Sequence, residues 1–143
     1  MRGLAIIAMF MVVFLAIGCS RQEKHTLNAE IIREALIRLL SRPSGAFVII
    51  EEPKSGKFVQ FAGSEKEPLL LDLPSQTLTQ DEMKKAIAVF SELGYPGPET
   101  FPVQEHPGGP PAGEQTSFVV TFGKDVDKAT ELAVAVLHRV YGL

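Results

Sequence analysis

Tryptophan is absent from the 143-residue chain and cysteine occurs once, so no disulfide can form within it. Three histidines, His25, His106 and His138, stand far apart and with one cysteine cannot complete a Cys2His2 zinc site, so no metal site is expected. A basic excess is missing too: 14 Lys and Arg face 17 Asp and Glu, and the formal charge of −3 offers no broad field for nucleic acid. No Gly-x-Ser-x-Gly elbow surrounds Ser44 or Ser55, and Gly123-Lys124 has Phe118 where a phosphate loop requires glycine. Glu51 and Glu52 are adjacent on a strand and point to opposite faces, so they cannot share acid and base work. Asp125 and Asp127 lack the fixed glycine of a calcium loop and fit a helix cap instead. Nucleophile, base and oxyanion donor are nowhere in evidence together, and the sequence reads as non-catalytic and without cofactor.

What is present begins at the N-terminus. After Met1, Arg2 and Gly3, residues 4–17 form an unbroken apolar run, and Gly18, Cys19 and the polar SRQEKH follow. A basic start, a run within the ~7–15 residues of a secretory core segment and a small residue at the boundary describe an export signal. A membrane span needs ~20 apolar residues, which favours a cleaved signal over an anchor. The stretch Leu15-Ala16-Ile17-Gly18-Cys19 resembles the lipobox of bacterial lipoprotein precursors. That resemblance implies cleavage after Gly18 and acylation of Cys19, by diacylglycerol on the thiol and usually a palmitate-like chain on the new amino group. Ala16 stands where the family most often has Leu. Two or more acyl chains hold a protein on a bilayer that one holds only marginally. With Ser20 next, the resemblance implies the periplasmic face of the outer membrane in a double-membraned host. Removal of residues 1–18 leaves 125 residues with a formal charge of −4. The tether at 19–26 keeps the body within roughly 25 Å of the bilayer.

Residues 27–143 read as one α+β domain, an antiparallel sheet packed against helices in the order α-β-β-β-α-β-(β)-α. Leu27, Ile31, Ile32, Ala35, Leu36, Leu39 and Leu40 recur at helical spacing over 27–40. FVIIEE at 47–52, KFVQFAG at 57–63 and LLLDLP at 69–74 read as an antiparallel meander. Thr79-Gln80-Asp81-Glu82 fits a capping box, opening a helix with Met83, Ala86, Ile87, Phe90 and Leu93 inward and Gly94 at its end. Six of ten prolines fall in 95–113, which reads as a long Pro/Gly loop with one short edge strand near 101–103. SFVVTF at 117–122 is an alternating strand, and Asp125 caps a last helix with Val126, Ala129, Ala133, Val136, Leu137 and Val140 inward.

The sequence FVIIEE…GKFVQFA, then LLLDLP, LGYPGP and the ending VLHRVYGL resemble the TY-Chap group, domains similar to type III secretion chaperones. The likeness covers 27–143 and implies protein or peptide binding, often as a homodimer, with no cofactor and no reaction. Tyr95 replaces the Trp of many members, and the 95–113 connection is longer than theirs. An export signal separates such a domain from a cytoplasmic secretion machine, so the fold can transfer without the role. The candidate binding surface comprises an open sheet edge, uncovered strand residues at Phe58, Val59 and Gln60, and Tyr95 and Phe101 in the Pro/Gly stretch. The alternative function is a structural lipoprotein that steadies an envelope complex.

Overall fold

A computed structural model describes residues 28–143; Leu27, Gly18, Cys19, His25 and the tether lie outside the described residues. The elements are α1 (Ala29–Leu40), β1 (Ala46–Glu51), β2 (Phe58–Gly63), β3 (Leu69–Pro74), α2 (Gln80–Glu92), β4 (Glu99–Gln104), β5 (Pro111–Gly123) and α3 (Val126–Ala135). A 3-10 turn at Ser75–Thr77 precedes α2, and a π-helical turn at Val136–Val140 prolongs α3. The order is α-β-β-β-α-β-β-α, and all strand pairs are antiparallel in one sheet, β1-β2-β3-β5-β4. Among the described residues no helix is long and apolar enough to cross a membrane.

Each helix starts on a side chain that satisfies an otherwise free backbone amide: Asn28 accepts from Ile31, Thr79 from Glu82 and Asp125 from Lys128. The capping box at α2 is only half made. Both Glu82 carboxylate oxygens accept instead from Lys57 Nζ at 2.5 and 2.9 Å, tying the start of α2 to the start of β2. The ion pair is largely buried, and its ammonium lies 5.5 Å from the centre of the Tyr141 ring. Thr79→Ala is expected to lower stability by about 0.5–2 kcal/mol, measured by urea denaturation, because the Glu82 amide loses its acceptor.

Alternation along the strands places Ile50, Val59, Phe61, Leu71, Leu73, Phe118, Val120 and Phe122 on one face, all buried. Ile32, Leu36 and Leu39 of α1, Ala86, Val89 and Phe90 of α2, and Ala129, Leu132 and Ala133 of α3 belong to the same core. Phe90 meets Phe118 with ring centres 4.5 Å apart, and Tyr95 meets both Phe90 and Phe122. The inner stripe expected for α2 changes at two places: Ile87 is 45% exposed, and Val89, outside the expected stripe, is buried.

The expected loop at 95–113 is mostly a hairpin. β4 runs six residues, β5 begins at Pro111, and only 105–110 connect them. Proline in this stretch does not prevent pairing, because β4 is the sheet's edge, where a missing N–H is tolerated at Pro102, and Pro111 is the first residue of its strand. Pro107 and Gly108, the latter at φ +79°, occupy the two central places of a turn closed by Gly109 N–H donating to the His106 carbonyl at 3.0 Å. That is the residue pattern of a type II turn.

Candidate functional site

The described helices all pack on one face of the sheet, and among the described residues no helix covers the opposite face. Phe47 and Ile49 of β1, Phe58 of β2, Leu70 of β3, Val119 of β5 and Phe101 of β4 lie on it, each partly exposed. Strand register sets Ile49, Gln60, Asp72 and Val119 in one row across four strands. The surface is therefore apolar with a polar pair at its middle.

The sequence candidates divide between the two faces. Val59 is fully buried in the core between sheet and helices, which removes it from the candidate surface. Its neighbours Phe58 and Gln60 project the other way, as alternation requires. The Phe58 carbonyl is fixed by the Tyr141 hydroxyl, which donates at 2.8 Å. Burial and the nearby Glu82 carboxylate push the Tyr141 phenol upward, so this donor keeps its proton. Phe101 shares the open face with Phe58. Tyr95 belongs to the core side against Phe90 and Phe122, where burial, and then Glu131 and Asp125, raise its pKa. The geometry thus places Phe58, Gln60 and Phe101 on one face, with Phe101 on the far edge strand, and separates Val59 and Tyr95 from them.

Asp72 was not a candidate from sequence, although an acid inside the apolar run LLLDLP is a signal in itself. The third strand is central, so Asp72 is flanked by β2 and β5 and is only 7% exposed. Oδ2 accepts from Gln60 Nε2 at 2.9 Å, whereas the buried Oδ1 meets no donor in bonding geometry. Burial raises the Asp72 pKa, opposed by the Gln60 hydrogen bond and, to a lesser degree, by Ser117. The folded carboxyl accordingly holds its proton to a higher pH than the unfolded one. Between the two values the folded state binds more protons, so stability falls as pH rises through that window, and the ionised form bears the cost above it. Asp72→Asn, which keeps an oxygen for the Gln60 amide, is expected to raise stability at pH 7 by about 1–3 kcal/mol. The gap should close as pH falls into the ordinary carboxylate range, as thermal melts at stepped pH will measure.

The sheet's two edges differ. β4 carries Pro102, a residue that blunts edge pairing, whereas β1 reads AFVIIE with neither proline nor lysine. Elsewhere, Ala29, Glu30, Arg33, Asp127, Thr130 and Glu131 line an open depression of about 520 Å3 between α1 and α3, spanned by the Arg33–Asp127 ion pair at 2.8 Å. Four of its six lining residues are charged and exposed, and an exposed pair such as Arg33–Asp127 contributes little. His106 and His138 are both exposed, and among the described residues no His, Cys, Asp or Glu cluster is arranged to hold a metal.

No family model, no curated protein and no solved structure matches the chain.

Proposed function

We propose that the chain is a lipoprotein held at a bacterial membrane through Cys19, whose domain binds a protein or peptide on the open face of its sheet and catalyses no reaction. One observation carries this reading: six large apolar side chains, Phe47, Ile49, Phe58, Leu70, Phe101 and Val119, are partly exposed on a face that no helix among the described residues covers. Large apolar side chains left partly exposed on one sheet face are the kind of surface at which a partner docks. The alternative, a structural envelope lipoprotein, calls for a charged and hydrophilic face, and the residues here are of the other type.

A second mode has its own support. β1 is a six-residue apolar edge without proline or lysine, and an extended segment can add to such an edge by backbone hydrogen bonds. A second copy paired through β1 would give the homodimer that the chaperone resemblance implies.

The reading is tested by crosslinking on membranes of cells producing the full-length protein. Phe58→Ser with Phe101→Ser should abolish a captured partner band that survives Ile87→Ser, a change of equal polarity on an exposed helix position. Equal retention in both variants would remove the open face from the binding role.

A further inference from the structure

Taking the open face as the binding surface, we infer that it selects an apolar segment bearing a lysine or arginine, whose cationic group donates to Asp72 Oδ1. This inference rests on the preceding reading of the face and assigns the chemistry of its partner.

Charge is the first ground. None of the five strands contains a lysine or arginine, while Glu51, Asp72 and Glu99 all stand on the open face. Register puts Glu51 beside Phe58 and Glu99 beside Ser117, so the apolar centre is bordered by acids at two corners and has a third, Asp72, in its middle. A field of one sign favours a partner of the other and repels an acidic one.

Geometry at Asp72 adds to its charge. Asp72 Oδ1 is a buried acceptor without a donor, on the row that includes Ile49 and Val119. A buried polar atom left unmatched costs stability, and a ligand that supplies the missing donor recovers that cost on binding. The Gln60 amide beside it is partly exposed and makes a single side-chain hydrogen bond, the one to Oδ2. A swing of this one side chain would open the carboxylate to the face. The Ser117 hydroxyl, on the same face, accepts from Gln115 Nε2 at 3.0 Å; its own O–H lies near the Asp72 carboxylate and lowers its pKa, but outside bonding geometry to Oδ1. A long aliphatic stem ending in a cation suits the surroundings, because its methylenes lie on Ile49 and Val119 while its head reaches the acid.

The inference explains why an acid would stand where the domain alone would be steadier without it. Asp72→Asn should stabilise the free domain and weaken its binding, opposite signs that a purely structural role for Asp72 does not produce.

The test uses the full-length protein in lipid nanodiscs, with empty nanodiscs as background, and three peptides of one apolar sequence carrying lysine, norleucine or glutamate at the centre. The lysine peptide is expected to bind about tenfold or more tightly than the norleucine peptide, the scale of one charge-assisted hydrogen bond, and the glutamate peptide more weakly than either. Asp72→Asn should bring the lysine-to-norleucine ratio near one while norleucine binding persists, which also reports that the variant is folded. A ratio unchanged by Asp72→Asn, or glutamate binding equal to lysine binding, overturns the inference. If norleucine binding is then still lost in Phe58→Ser with Phe101→Ser, the face reading stands without it. Failure of all peptides overturns both, and self-association that is abolished by the same two serines would assign the face to a second copy.

Discussion

Phe118→Ala is expected to remove about 3–5 kcal/mol of stability, seen as a lower urea midpoint with little change in slope. The ring is fully buried on β5, stacked 4.5 Å from Phe90 of α2 and opposite Leu73 of β3. It joins the sheet to a helix at a place where neither can collapse into the gap, because Leu73 and Phe90 are held by their own elements. A domain of this size has roughly 5–15 kcal/mol in total, so the variant should be marginal at 37 °C. Ile87→Ala, at a position 45% exposed, should by contrast change stability by about 0.5 kcal/mol or less. The pair separates the side of α2 that faces the sheet from the side that does not.

Cys19→Ala should abolish incorporation of labelled fatty acid completely and leave precursor that still carries residues 1–18. The thiol is the acyl acceptor that the lipobox resemblance implies, and alanine cannot form the thioether. Residues 19–143, the body that the proposed cleavage would leave, have a formal charge of −4 and so no attraction to anionic headgroups that could hold them in place of a lipid. Fractionation of cells fed a radiolabelled or alkyne fatty acid provides the readout. A Cys19→Ala protein that matures normally and stays on the membrane would contradict the lipid reading.

Most of the architecture was legible because it depends on local pattern. Thr79 and Asp125 announced their helices through hydroxyl and carboxylate caps, and the alternation of FVIIEE and SFVVTF marked strands with one buried side. The β4–β5 hairpin was hidden by its four prolines, Pro102, Pro107, Pro110 and Pro111, whose effect depends on whether a strand is central or at an edge. Nothing local states that β4 lies outside β5. Ile87 was misplaced because residues at 83, 86, 87 and 90 share one side of a helix, and the exact width of the buried stripe is set by what packs above it. Val59 and Phe58 illustrate the same point for a strand: alternation says that one is inside and one outside, and only the helices decide which. Asp72 required tertiary structure, since its burial comes from flanking strands and its unmatched oxygen from where Gln60 and Ser117 stand.

The central claim is that the helix-free face of the sheet is where a partner sits. A photo-activatable phenylalanine analogue placed singly at Phe47, Phe58 or Phe101 in the full-length protein, and at Ile87 as the reference, tests this in living cells. The account predicts a common crosslinked species from the three face positions and none from Ile87. Crosslinks of that species from Ile87, with the three face positions silent, would contradict it.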